Sequence, residues 1–189
     1  ADGTDPGWKW INDNYPYAPF PEQVFIDDVP QTQVGSLGEC VAGTFFVDST
    51  TSGATIHTPT RIYIGSNPAG KTVNVTDLHV FLNLGTGFTG LTFRGIGVRR
   101  YGNALPQYSI LRLDGNNNTT NCLIENVVIQ DIATMALTSN ACHGNTISHV
   151  TVTRAGYRAL GGYRSDNLTF DNVLVEYTNT ENFNSSPDS

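Results

Sequence analysis

The sequence predicts an all-β protein, most of it a solenoid of short parallel strands, and three observations carry that expectation. Composition is the first. Only 14% of the 189 residues are charged, against roughly 25% in an average domain, and Gly, Asn and Thr abound where long helices would need Ala, Leu, Glu and Lys. The second is a repeat. The segments GLTFRGIGVRRY, NCLIENVVIQDI, GNTISHVTVTRA and NLTFDNVLVEYT align apolar residues in three columns. Phe93, Ile124, Ile147 and Phe170 form the first, Ile96, Val127, Val150 and Val173 the second, and Val98, Ile129, Val152 and Val175 the third. The third observation is a turn column, Gly95, Asn126, His149 and Asn172, lying between the first two, with steps of 31, 23 and 23 between successive members. A period in the low twenties with short β runs is the signature of a solenoid. Gly and Asn accept the left-handed backbone better than other residues, so one of them between two strands makes a sharp bend. The Leu spacing of leucine-rich repeats is absent, and a right-handed parallel β-helix fits best.

Taken in order, residues 1–19 form an aromatic, Pro-rich, irregular lead-in. Residues 20–76 hold QVFIDDVPQTQVG, GTFFVDST, RIYIGSNPAG and KTVNV, short β runs separated by Gly, Pro, Asn and Asp turns. They lack the repeat of the later segments and are expected to form a small inserted antiparallel or sandwich-like lobe. The segment DLHVFLNLGTGFTG returns the chain to the solenoid, which occupies residues 77–189. Each coil carries one strand up to the Phe93 column, a bend, and a second strand. A third strand follows in ILRLD, MALTS, RALGG and ENFNS, with Leu111, Leu113, Leu137, Leu160 and Phe183 inward by alternation. The longest coil exceeds the others by about eight, and the extra length is expected in YGNALPQYSI. The last segment, TENFNSSPDS, reads as the third strand of a coil and the turn after it. An open solenoid end leaves backbone groups and apolar side chains unpaired, so the expectation is a section of a longer β-helix, or a second chain or copy covering the end after Ser189.

The totals also bear on partners. A net charge of −7 disfavours nucleic acid, whose phosphates need clustered Lys and Arg. No stretch approaches the ~20 apolar residues of a membrane-spanning helix, so no membrane partner is expected. Cys40, Cys122 and Cys142 show no CxxC spacing, and the coils show no carboxylate cage, so neither a metal nor another cofactor is expected. Cys122 and Cys142 bracket one coil, and a disulfide needs their Cα atoms within about 6 Å. Low charge, few Lys and polar strand surfaces suggest a secreted protein, in which the sequons at Asn74, Asn117, Asn118, Asn167 and Asn184 would be glycan acceptors if the host is eukaryotic.

The motifs PEQVFIDDVPQTQVGS, GTFFVDS, IYIGSNPAGKTV, RGIGVRRYG and NTENFN together resemble secreted bacterial, actinobacterial-type right-handed parallel β-helix repeat proteins of the pectate-lyase-like superfamily. The resemblance covers nearly the whole chain. It implies a small β lobe inserted between coils, with further coils before and after. The wider group includes polysaccharide lyases, glycoside hydrolases, sugar epimerases and phage tailspikes, and fold alone does not give function. The leading expectation is a secreted carbohydrate-active protein acting on a polysaccharide or oligosaccharide as a glycoside hydrolase. A non-catalytic carbohydrate-binding or cell-surface structural module is the alternative. A uronate lyase or epimerase comes third, since residues 77–189 contain no Lys.

Candidate residues follow from strand alternation. Arg112, Asp114, Thr138, Asn182 and Asn184 should line the outer face of the third strand, a polar row suited to sugar hydroxyls, although any solvent face of a solenoid has this composition. Arg158 and Glu181 lie one repeat apart, on adjacent coils in the column where Met135 looks inward. Glu181 is either a general acid or base tuned by Arg158 or half of a structural ion pair. Asp171 and Glu176 are the other carboxylates considered for catalysis, but on different faces, whereas glycoside hydrolysis wants two carboxyls roughly 5–10 Å apart. Tyr157 and Tyr163, with Tyr101 and Tyr177, could stack on sugars or cover turn edges. His149 belongs to the bend ladder.

Overall fold

The computed structural model describes residues 22–48, 61–76, 78, 80–85, 87–102, 109–114 and 119–180. These residues are all-β apart from one 3₁₀ turn at Leu37–Glu39. The first strands are β1 (Val24–Ile26), β2 (Val29–Pro30), β3 (Thr32–Val34), β4 (Thr44–Asp48), β5 (Arg61–Ile64) and β6 (Val73–Val75). They make two three-stranded sheets, β2-β1-β6 and β3-β4-β5. Asp27 and Asp28, both with positive φ, form the two-residue turn that sets Ile26 opposite Val29, the geometry a tight hairpin requires. Pro30 sits on the edge strand, where its missing N–H costs no ladder bond. Against the expectation of an antiparallel or sandwich-like lobe, β1 pairs antiparallel with β2 and β6, and β4 with β5, while β3 and β4 run parallel. The Leu37–Glu39 turn between them carries the chain back to the starting side of the sheet. Val24, Phe45 and Val47 are the buried centre of these strands.

The remaining strands are β7 (Leu82–Leu84), β8 (Thr92–Arg94), β9 (Gly97–Arg99), β10 (Ser109–Asp114), β11 (Leu123–Ile132), β12 (Met135–Asn140), β13 (Thr146–Ala155), β14 (Leu160–Tyr163), β15 (Thr169–Asp171) and β16 (Leu174–Thr178). They form two wholly parallel sheets. One has the order β14-β12-β10-β7; in the other, β15-β13-β11-β8, β16 also pairs with β13 and β9 with β11. The chain visits the two sheets alternately, an arrangement compatible with a β-helix-like fold. The apolar columns are register columns: Phe93, Ile124, Ile147 and Phe170 are successive partners, as are Val98, Ile129, Val152 and Val175. Their middle members, with Leu111, Leu113 and Leu137, are withdrawn completely from solvent and make one continuous core. Leu82, paired with Leu111, adds a rung below those visible in the repeat.

The bend column has φ of 73° at Gly95, 53° at Asn126, 51° at His149 and 50° at Asn172, so every member is left-handed. The backbone carries two further such columns. Gly90, Asn121, Gly144 and Asn167 precede it at a constant offset, and Arg100, Asp131, Arg154 and Tyr177 follow it at the same offset. Gly144 is required for a second reason, because a Cβ there would lie 2.5 Å from Asn121 Oδ1. Arg and Tyr have no local preference for this conformation. At the third column the cost is offset by side-chain contacts: Arg154 donates through Nε and a terminal nitrogen to both oxygens of the buried Asp131 carboxylate, at 2.5 and 3.1 Å. Asn126 is exposed, so its conformation can be tested without disturbing packing. Asn126→Gly should leave stability unchanged or slightly higher, whereas Asn126→Val should cost on the order of 1–2 kcal/mol, read from the urea midpoint.

The extra length of the longest coil is divided between two places. The chain takes a longer path from Val98 to Leu111 than from Ile129 to Leu137 in the next coil, and most of the extra length lies there. The path from Leu113 to Thr120 is also longer than that from Ser139 to His143, which places the remainder after β10 rather than in YGNALPQYSI. Arg100 ties the lobe to the coils. Its guanidinium lies 4.2 Å from the centre of the Phe25 ring and donates to Asp28 Oδ1. That hydrogen bond, with the attraction of the cation, holds the Asp28 carboxyl below its ordinary pKa.

Candidate functional site

The outer face of β10, β12 and β14 is built by alternation. Leu111 and Leu113 turn into the core, which leaves Arg112 and Asp114 outward on one strand, separated only by Leu113. A terminal nitrogen of Arg112 lies 2.6 Å from Asp114 Oδ2. On the next strand Asn140, opposite Asp114 in the register, donates through Nδ2 to Asp114 Oδ1 at 2.9 Å. Tyr163 continues the same row on β14; it is 61% exposed, with the Arg164 guanidinium 5.1 Å from its ring centre. The parallel row beside it runs Asn83, Arg112, Thr138 and Gly161. Thr138 Oγ1 is 2.6 Å from the buried Ser109 Oγ. The face therefore offers a carboxylate, an amide and a guanidinium already fixed by one another, beside one open aromatic ring. That combination suits sugar hydroxyls and a sugar ring face.

The other proposed residues fall elsewhere. Tyr157 is only 6% exposed, and the Arg158 guanidinium lies 4.7 Å from its ring centre. Its ring is part of the packing and presents no open face to a sugar. Met135 is buried, as its column requires. Glu181, Asn182 and Asn184 lie outside the described residues, and with them the Arg158–Glu181 pairing. Asp171 and Glu176 belong to β15 and β16, which pair with β13 on either side of the Asn172 bend. Cys122 and Cys142 are buried thiols and do not form a disulfide.

One row was missed by reading the coils singly. Arg94, Glu125, Ser148 and Asp171 are successive register partners on the parallel sheet that contains β11 and β13. Arg94 Nε lies 3.7 Å from Glu125 Oε2, and Ser148 Oγ donates to Asp171 Oδ2 at 3.0 Å while sitting 2.7 Å from His149 Nδ1. Glu125 and Asp171 are thus two rungs apart, about 9.6 Å at the usual strand spacing of ~4.8 Å, with a hydroxyl between them. Glu125 precedes Asn126 as Asp171 precedes Asn172, so the repeat period applied twice was the signal that could have found it.

Among the described residues no group of three or more His, Cys, Asp or Glu is placed to hold a metal ion, and no helix is long and apolar enough to cross a membrane. No protein-family model matches the chain, and comparison with curated proteins and with solved structures gives no match.

Proposed function

We propose that this chain forms a right-handed parallel β-helix in a secreted protein that binds a polysaccharide along the outer face of β10, β12 and β14. Handedness rests on the crossovers between parallel strands, which are right-handed in nearly all proteins. The binding reading is carried by one observation: Asp114, Asn140 and Tyr163 share a register row, so carboxylate, amide and aromatic ring follow one another at strand spacing. An extended glycan lying across the strands would meet them in sequence. Affinity electrophoresis of the full chain in gels cast with neutral and acidic polysaccharides tests the reading. Retardation by at least one polymer is expected, and Asn140→Ala and Tyr163→Ala should each weaken it about tenfold, since one stacked ring or a paired polar contact is worth ~1 kcal/mol or more. Unretarded migration in every gel would defeat it.

Glycoside hydrolysis is the second reading, favoured by the Glu125–Ser148–Asp171 row. An inverting mechanism places its acid and base roughly 6.5–9.5 Å apart, the scale of two strand spacings, and here the Ser148 hydroxyl stands between the two residues. Glu125→Gln and Asp171→Asn should each abolish release of reducing ends from the retarding polysaccharide while leaving retardation intact.

A further inference from the structure

Charge is distributed unevenly on the face of β10, β12 and β14. The carboxylates on and beside it are already engaged. Asp114 lies 2.6 Å from a terminal nitrogen of Arg112 and accepts from Asn140, and Asp166, two residues past Arg164, lies 3.1 Å from His143 Nδ1. Arg164, directly after Tyr163, is exposed, and among the described residues no carboxylate lies within ion-pair distance of it. Its guanidinium stands over the edge of an aromatic surface that is itself open: 5.1 Å from the centre of the Tyr163 ring, in a residue that is 61% exposed. The strand beside the ring is bare as well. Gly161 precedes Tyr163 by two on the same side of β14 and ends the row Asn83, Arg112, Thr138, Gly161 without a side chain. A Cβ there would lie 3.3 Å from Thr138 Cγ2 and 3.7 Å from Met135 Sδ, and a longer side chain would extend over the surface next to the ring.

We propose, building on the binding reading above, that Gly161, Tyr163 and Arg164 form a subsite for a sugar carrying an anionic group, a carboxylate or a sulfate ester, so that the polysaccharide taken by this face is an anionic one. The sugar ring lies against the open part of Tyr163, over the bare backbone at Gly161. Its anionic group accepts hydrogen bonds from Arg164, whose planar fork matches two oxygens at once. A neutral sugar would use the ring and leave the cation without a partner. Long-range attraction contributes nothing to such a preference, because the chain has a net charge of −7 and its overall field repels a polyanion. A preference for the charged polymer therefore has to come from a local cation.

Affinity electrophoresis of the full chain against matched polymers tests this: alginate beside its methyl ester, and a sulfated galactan beside the same galactan after desulfation. Expected is retardation about tenfold stronger by the charged member of one pair than by its neutral counterpart, declining in high salt because the contact is exposed and screened. The pair that shows the preference tells carboxylate from sulfate. Arg164→Asn removes the cation and suits the left-handed backbone at this position, where φ is 48°. It should erase the preference and leave the weaker retardation of the neutral member. Arg164→Lys should recover part of the preference, since an ammonium keeps the charge without the fork, and Tyr163→Ala should weaken retardation by both members. Equal or stronger retardation by the neutral polymers, or a charge preference that survives Arg164→Asn, would overturn the anionic subsite and leave the binding reading standing. Free migration in every gel would defeat both.

Discussion

Ile124→Ala is expected to lower the free energy of unfolding by about 2–5 kcal/mol, the range for truncating a fully buried Ile or Leu. Ile124 is 0% exposed and sits on β11, with Phe93 below it and Ile147 above it in the same column. Each of these neighbours is held by its own backbone ladder, so the rungs cannot slide together to fill the space, and the cost should fall in the upper part of the range. Phe170→Ala, in the same column on the outermost described rung, removes a larger side chain that is 48% exposed and should cost less than half as much. Urea unfolding at low protein concentration distinguishes the two. Similar losses at both positions would mean that the outer rung is covered in solution.

Stability should also fall as the pH rises from about 4.5 to about 7, and Glu22→Gln should remove that fall. Burial pushes the Glu22 carboxyl up from 4.5 to about 7, and its Oε2 is out of solvent with no hydrogen-bond partner among the described residues. The unfolded chain releases this proton near pH 4.5, the folded chain only near 7, so between them the folded state binds more protons. Its contribution is therefore complete below the unfolded pKa and is lost as pH climbs through the folded one. Such a shift is worth on the order of 3 kcal/mol, so the Gln variant should be the more stable by up to that amount at about pH 8 and nearly equal to the parent near pH 4. The difference between the two urea midpoints across that range isolates this carboxyl from the other acids. A constant difference would mean that Glu22 is solvated.

The parallel strands were legible because Gly, Asn or His at each bend and one apolar residue at each inward position recur, at intervals of 23 after the longest segment, and the first and third apolar columns are the register columns. Two things hid the rest. The corner at Arg100, Asp131, Arg154 and Tyr177 is left-handed with only Asp131 of a type that favours it; packing between successive strands imposes it, and only the spacing from Asn126 could have shown it. The column at Gly90, Asn121, Gly144 and Asn167 does carry the usual residues, but it stands at the ends of the aligned segments, where a turn looks like a boundary. The face of β10, β12 and β14 followed from strand alternation, which is why Arg112, Asp114 and Thr138 fall on it; the register with Asn140 adds Tyr163, which alternation alone did not place there. Asn140 escaped notice because its partner Asp114 lies in the preceding coil, whose length departs from the period. Tyr157 was misjudged for a different reason: a Tyr beside an Arg at a strand end reads as surface, and nothing local reveals that Arg158 folds over it.

The separations bridged by the parallel pairs also bear on how the molecule opens. From β11 upward every rung is fastened only to the rungs directly before and after it, so no strand pairing reaches from one end of the stack to the other. Loss of an outer rung exposes one new edge and leaves the remaining ladders whole, as expected of a quasi-one-dimensional array. Amide protection should therefore be graded along the stack, greatest in β11 and β12, whose strands are paired on both sides, and least in β15 and β16. The lower coils are steadied differently, since the Arg100 contacts to Phe25 and Asp28 join parts of the chain much farther apart than any two neighbouring rungs. Fraying should therefore start from the upper end and advance coil by coil toward the lobe.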